Sequence, residues 1–445
     1  MLPLITATLL ASLHAADTLR IRPEAPDSGG PRTTGTTAGT DTTASEVPFA
    51  WADFTWMNGQ SRQRSTLLQF GASITGSLYL DTYFALSSNR PRDNTLTGSA
   101  TIGRSGEFQI NLASVGVSWN HQNVIGRIEL QTGNMLDIVQ DLDGSVHRGR
   151  NLSTANLRNI RQASVGYHVD KGHGFDIEAG IFSSYIGLES YLLAENWNYN
   201  HALVSDFTPF YLQGVRASFY PTAKLKLEPW IMNGFQTFGR WNAMPSVGFS
   251  THYRPTGSLG LIANLYYGAD QRGNPARRRF HHDHSVLVRY LDRPASHGVS
   301  KMAFSLNNHY GFERGGDGPS SANAYMAGTS FTNRIWFDRD RLAIAVRGEV
   351  ITNPSRYLAL APTPVGFVDD GTSLNVRGLT ATIDLMPTDF FTVRGEVMTR
   401  ASDVPFFAGP GGTTSADGYQ GTVGDFVPDV RRAQTLFALA INFRL

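Results

Sequence analysis

The last nine residues alternate without a break. Phe437, Leu439, Ile441, Phe443 and Leu445 are large and apolar, while Ala438, Ala440, Asn442 and Arg444 between them are small or polar. A strand of that period turns one face to an apolar medium and the other to a polar one. The pattern recurs along the chain, and no segment is left over to cover the apolar faces. Strands can cross a lipid bilayer only as a sheet closed on itself, because an open edge would leave backbone groups unpaired. The alternation therefore implies an all-β fold, a transmembrane antiparallel up-and-down β-barrel of about sixteen strands.

Composition supports this reading. No stretch approaches the roughly 18–20 unbroken apolar residues of a membrane-spanning helix. The 45 Gly, 26 Phe and 16 Tyr suit close-packed strands, tight turns and aromatic girdles. A net charge of +1 gives no long-range field, so nucleic acid is not an expected partner. The absence of Cys excludes disulfides and Cys-bound metals. No Gly-x-Ser-x-Gly, His-Glu-x-x-His or Gly-Lys-Ser/Thr motif occurs, so neither an enzyme nor a cofactor is expected.

Residues 1–16 combine an apolar stretch with small residues at a cleavage point after Ala15 or Ala16, as in a secretory signal peptide. Residues 17–47 are rich in Thr, Gly, Pro and Ser without apolar period, and read as a disordered periplasmic tether. The barrel should occupy 48–445, with regular strands from about 73. Phe49–Gly59 is expected to be a short strand or a segment tucked into the barrel mouth.

Short turns near 120–122, 170–174, 221–223, 254–258, 292–298, 338–340 and 387–389 alternate with long stretches at 87–106, 134–158, 183–208, 233–245, 269–283, 313–323, 351–372 and 400–432. In outer-membrane barrels turns are short on the periplasmic side and loops long outside, so both termini should be periplasmic. Outward aromatics should collect beside the short turns, and Trp119, Tyr167, Phe175, Phe219, Tyr253, Phe337 and Phe391 do. Strand 107–119 is the misfit. Phe108, Ile110 and Leu112 share one face, then the phase switches to Val115, Val117 and Trp119, which a bulge near Ala113 would explain. Stretches 351–372 and 400–432 are Gly/Thr/Pro-rich and look mobile.

Parity assigns the lumen face. Its expected basic residues are Arg127, Arg216, Lys224, Lys226, Arg254, Arg289, Arg334, Arg347, Arg394 and Arg444. Its acids are Asp81, Glu107, Glu129, Asp176, Glu178, Glu228, Glu349, Asp384 and Glu396. A charge facing lipid at the midplane costs roughly 2–4 kcal/mol for Arg and less for Glu, so this face meets water. The near balance of signs predicts weak ionic selectivity. Stretch 183–208 is aromatic-rich and helical in part, and folding inward would bury it. Tyr185, Glu189, Glu195, Asn196, Trp197, Tyr199 and Asp206 are its expected constriction residues.

One further cluster, Arg277–Ser285, holds His281, His282 and His284. In an extended segment His282 and His284 share a face, which suits two imidazole ligands to a metal, but no third ligand is evident. The alternatives are a basic outer loop touching lipopolysaccharide phosphates, or no site at all. His284 and Ser285 are adjacent and would point to opposite faces, which argues against a hydrolase.

Several of these motifs carry a family resemblance. Gly166-Tyr167-His168, Ala179-Gly180-Ile181-Phe182-Ser183-Ser184-Tyr185-Ile186-Gly187, Glu195-Asn196-Trp197-Asn198-Tyr199, Thr208-Pro209-Phe210 and Phe54-Thr55-Trp56-Met57-Asn58-Gly59 resemble the OmpL-like putative β-barrel porin family, over roughly residues 48–310. The charged lumen face and the inward-capable stretch 183–208 suggest passive passage of small polar solutes. The resemblance implies an outer-membrane porin of a Gram-negative bacterium with no catalytic residues, and leaves the solute unassigned. Its implied partners are outer-membrane lipid and lipopolysaccharide, the barrel-assembly machinery and, as among many sixteen-stranded porins, further copies of itself. The chain departs from the usual aromatic terminus read by that machinery, since Arg444 and Leu445 follow Phe443. The competing reading is a barrel closed by its loops, with a surface-binding role.

Overall fold

A computed structural model describes residues 47–445 except 141, 142, 144, 146–149, 151, 153, 318–323, 355–372 and 423. The expected signal segment, nearly all of the expected tether and most of 351–372 lie outside the described residues.

The alternating segments form sixteen wall strands: β1 Ile74–Ser87, β2 Phe108–His121, β3 Val124–Thr132, β4 Ile160–Val169, β5 Phe175–Ser183, β6 Tyr211–Thr222, β7 Leu225–Met232, β8 Ser246–Thr256, β9 Leu259–Gly268, β10 Arg278–Asp292, β11 Val299–Arg314, β12 Tyr325–Phe337, β13 Leu342–Asn353, β14 Leu374–Thr388, β15 Phe391–Ser402 and β16 Ala433–Arg444. Each pairs antiparallel with its neighbours in the chain. The last pairs with the first, Leu436 opposite Ser87 and Arg444 opposite Tyr79, so the sheet closes and has no edge. Outward residues such as Leu379, Ile383, Leu439 and Ile441 are exposed, and their inward neighbours Thr380, Thr382, Asp384 and Ala440 are buried.

Short turns and long loops alternate as the sequence predicts. At the first short turn Gln122 and Asn123 have φ of 49° and 67°, the left-handed pair that two-residue hairpins favour because it matches strand twist. Three expectations need correction. Leu112 is fully buried rather than outward with Phe108 and Ile110. Asp81 opposes Leu112 and Thr82 opposes Ile110, so the inserted residue is Asn111, just ahead of the expected Ala113. The loop expected over 269–283 stops at 277, because His281, Asp283 and Ser285 find polar surroundings inside and β10 continues past its apolar run. The stretch 400–432 is not loose. Phe407–Ala408 pairs with Val430–Arg431, and Phe406 and Phe407 are fully buried.

The interior is packed rather than open. Phe54, Trp56 and Met57 cluster with Leu188, Trp197 and Trp336. Met135, Leu136 and Val139 of the short helix α1, Asn134–Gln140, pack against Tyr191, Leu192, Phe210 and Phe238. Leu203, Val204 and Phe207 meet Phe406 and Phe407. All three clusters contain residues of the segment between β5 and β6, which lies inside the barrel.

Candidate pore and constriction

The segment 184–210 leaves the wall at Ser183 and crosses to the strands opposite. A Tyr185–Trp230 stack at 5.0 Å fixes its root, with the Tyr185 hydroxyl donating to the Leu265 carbonyl at 2.7 Å. Turn-forming pieces follow, a 3-10 turn at Leu193–Glu195 and a single helical turn at Leu203–Asp206. Neither is long enough to be stable alone, so their order comes from what holds them.

What holds them is the charge on β12–β16. Arg347 donates to Glu189 at 3.1 Å and to the carbonyls of Asn200 and His201 at 2.7 and 3.0 Å. Glu396 accepts the backbone N–H groups of Tyr199 and Asn200 at 2.6 and 2.9 Å. Glu349 accepts that of Leu203 at 2.6 Å and pairs with Arg400 at 2.7 Å. Arg334 donates to the Trp197 carbonyl and Arg394 to that of Leu193, and both pair with Asp384. Arg444 pairs with Glu195, and the Tyr199 hydroxyl donates to Asp81 at 3.0 Å. These bonds satisfy loop backbone groups that would otherwise be buried unpaired.

The other half of the wall is arranged differently. Arg216 pairs with Glu178 at 2.7 Å and lies 3.9 Å from Glu228, which also takes Lys226 at 2.5 Å. Its guanidinium stacks over Phe182 at 4.5 Å. Arg161 pairs with Glu129, Arg127 donates to Gln162, and Asp176 meets His168 at 2.6 Å. Between this wall and the loop runs a cavity of ≈ 120 Å³, lined among others by Arg161, Arg216, Lys226, Glu228, Glu189 and Glu195.

The expected constriction residues thus divide. Tyr185, Glu189 and Glu195 line the cavity, whereas Asn196, Trp197, Tyr199 and Asp206 are buried in the contact with β12–β16 or with the N-terminal segment. Of the expected lumen charges, Arg334, Arg347, Glu349, Arg394, Glu396 and Arg444 bind the loop, and Arg127, Glu129, Asp176, Glu178, Arg216 and Glu228 form pairs on the facing wall. Glu107 sits at the long-loop end, where hydrogen bonds from Arg104 hold its carboxyl down to about 2. Parity missed Arg161 and Arg400. Arg161 is the inserted residue of a bulge, since Glu129 opposes Gln162 while Leu130 opposes Ile160. An arginine on an apparent lipid face was the signal. The expected loop 400–432 includes Arg400, but β15 reaches Ser402 and Arg400 is buried on its inner face.

A second occupant of the lumen is the N-terminal segment. The Phe49 N–H donates to the Ala223 carbonyl in the β6–β7 turn, and the Trp56 indole to Gly257 in the β8–β9 turn. Arg62 donates to Phe391 and Thr392, just after the β14–β15 turn. These anchors lie on opposite sides of the barrel, so the segment straps the short-turn mouth. It also touches the loop. Asn58 accepts the Trp197 N–H at 2.8 Å, and the Trp197 indole donates to the Trp56 carbonyl at 3.1 Å.

In the Arg277–Ser285 cluster His281 is inward and His282 and His284 are outward, with Ser285 buried on the opposite face. Among the described residues no group of three or more His, Asp or Glu could hold a metal ion.

A closed sixteen-stranded barrel with an apolar belt, a charged lumen and an inward loop defines an outer-membrane porin. The chain belongs to the family described as putative beta-barrel porin-2, OmpL-like, whose profile matches residues 73–445. The match corrects the expected extent of 48–310. It begins after Phe54–Gly59 and runs to the last residue. No curated protein matches the chain. Similar solved structures include OmpT, an outer membrane protein of Vibrio cholerae, at 9% identity and TM-score 0.48, covering 85% of this chain and 99% of that one. The anion-selective porin from Comamonas acidovorans aligns at 10% identity and TM-score 0.49, covering 84% and 99%. The outer membrane channel DcaP of Acinetobacter baumannii aligns at 8% identity and TM-score 0.48, covering 85% and 100%.

Proposed function

We propose that this porin passes small polar solutes passively along the wall β4–β9, with the 184–210 loop as constriction and with weak ionic selectivity. The carrying observation is the cavity between loop and wall, in which Arg216, Lys226 and Arg161 each meet a carboxylate. Paired charges leave little net field in the passage, so neither cations nor anions gain strongly. The porin is exported by residues 1–16, tethered by 17–47, and seated in a Gram-negative outer membrane with both termini periplasmic. Outer-leaflet lipopolysaccharide surrounds it, the barrel-assembly machinery inserts it, and it is no enzyme.

The test is planar-bilayer conductance of the purified protein, with reversal potentials under a salt gradient. Steady openings with a reversal potential near zero are expected, and deletion of 188–200 should raise the conductance. Silence from folded protein, unrelieved by that deletion, would reject the reading. One observation favours the alternative of a closed barrel with a surface role. The strap and the loop meet through Asn58 and Trp197 and together fill much of the lumen.

A further inference from the structure

The outer face of the wall is apolar on most strands. From the short-turn end upward, β14 presents Leu385, Ile383, Ala381 and Leu379, and β16 presents Phe443, Ile441, Leu439 and Phe437. On β10 the outward residues in that direction are Tyr290, Val288, Val286, His284, His282, Phe280 and Arg278. With ~3.3 Å rise per residue and ~40° tilt, Tyr290 and Phe280 stand about 25 Å apart along the membrane normal, the height of a barrel's apolar belt. His284 then falls about 15 Å above Tyr290, well inside that belt.

It is not alone there. His284 is directly opposite Asn308 on β11, and Asn308 is opposite Thr329 on β12. Both His284 and Asn308 are exposed, while Ser285, Asn307 and Ser330 beside them are turned inward and buried. Thr329 donates its hydroxyl to the Asn308 side chain at 2.7 Å. The Asn308 amide hydrogens have no hydrogen-bond partner among the described residues, and His282 Nδ1 is shut off from solvent without one. Acyl chains can satisfy none of these groups. Around the row the rings of His282, His284, Phe280, Tyr310, Phe312 and Tyr325 form one continuous outward cluster, with neighbouring centroids 4.8–6.2 Å apart.

We propose that this face of β10–β12 is an interface between copies of the chain, with the His284–Asn308–Thr329 row buried at its centre. Carboxamide, imidazole and hydroxyl groups can each donate and accept, so a symmetric assembly can satisfy the row with its own copies. The row carries no carboxylate or ammonium group that would call for a partner of opposite charge. The ring cluster supplies the packing surface that association in lipid requires, where no hydrophobic drive exists. Arg278 and Arg314, opposite each other at the long-loop end, cap the patch at headgroup level.

The proposal rests on the outer-membrane reading but not on conduction, and its test keeps the two apart. Light scattering in mild detergent should give wild-type protein a multiple of the single-chain mass. The His284→Leu/Asn308→Leu variant, whose face suits lipid better, should fall to the single-chain mass while remaining heat-modifiable on gels. A wild type already at single-chain mass, or a double variant that keeps the wild-type mass, would overturn the proposal. A second measurement does not depend on that variant. Because the chain has no cysteine, a nitroxide on Asn308→Cys in vesicles can be compared with one on Ile128→Cys, outward on the far wall. Oxygen accessibility at 308 should be several-fold lower. Equal values mean that 308 faces lipid, and so does a wild-type monomer whose nitroxide responds to a phosphorylated glycolipid, and either result refutes the interface. Lost conductance with unchanged mass would count against the pore reading alone.

Discussion

Single side chains in this barrel do two jobs that parity alone does not separate: they keep the lumen wet, or they hold the loop. Arg347 shows the second. It is fully buried and bonds Glu189 and two loop carbonyls. Removing one partner of a buried pair costs on the order of 3–5 kcal/mol, because the other charge stays desolvated. Arg347→Ala should therefore lower stability by about that amount in urea titrations in vesicles, and should raise conductance with noisier open states. Equal stability and conductance would place the loop's anchorage elsewhere. Asp93 carries the corresponding task outside the membrane, where its carboxylate accepts from the Thr413 backbone at 2.6 Å and from Thr414 at 2.8 Å. Burial alone would raise this carboxyl, but the hydrogen bonds from Thr413, Thr414 and Thr95 outweigh it and hold it below the ordinary range. A carboxyl depressed in the folded state contributes stability above its unfolded value, near 3.9, and loses it as pH falls through the folded value. Stretch 409–418 should thus stay protected from hydrogen exchange at neutral pH and lose protection below about pH 4, and Asp93→Asn should show the loss at neutral pH. Which face each charge takes was legible wherever the period holds, as for Arg216 and Glu178. Which partner it takes was not, because the loop that Arg347 meets is 146 positions away for His201 and 158 for Glu189.

At the scale of elements, the sequence specifies strands and turns well because both signals are local: alternation for the one, Gly, Asn and Asp for the other. It reads an inserted residue only approximately: the phase switch in 107–119 signals a bulge two residues from its place at Asn111, and the one at Arg161 goes unread. The bulges at Asn111 and Arg161 each shift one face by a residue, and nothing local marks them beyond an apolar or charged residue on the unexpected side. It is also silent on how irregular segments dock. The composition of 400–432 predicts a mobile stretch, yet Phe406 and Phe407 pack on the loop helix at Leu203–Asp206. The same contact makes a prediction. Gly98 has φ of 75°, and a Cβ there would come within 2.8 Å of the Phe407 ring. Gly98→Val should therefore be strained twice, by its backbone and by the ring. It should release 403–432 to protease at neutral pH without lowering the barrel's own melting temperature, whereas intact protection would mean that Phe407 can move aside at little cost.

For the whole molecule, the strap spans the short-turn mouth and meets the loop inside it, where Gly59 and Gln60 line one cavity with Glu189 and Glu195. In the proposed pore ions therefore meet both obstacles and their resistances add. The strap covers the short-turn mouth from Ala223 to Phe391, with Arg254 held between the rings of Phe49 and Phe54 at 4.4 and 4.6 Å. In the same reading the loop is the constriction, bordering the cavity beside Arg216 and Glu228. If the two act in series, deleting 48–66 should raise single-channel conductance only until the loop limits it, and deleting 188–200 only until the strap does. The double deletion should then exceed the sum of the two single gains. Because the strap and loop also brace each other through Asn58 and Trp197, either deletion should broaden the conductance distribution of the one that remains. Single-channel recordings of the three variants in the same salt decide it. A double deletion no better than the loop deletion would show that the strap lifts away in the conducting state, leaving 184–210 as the one element that sets the flow.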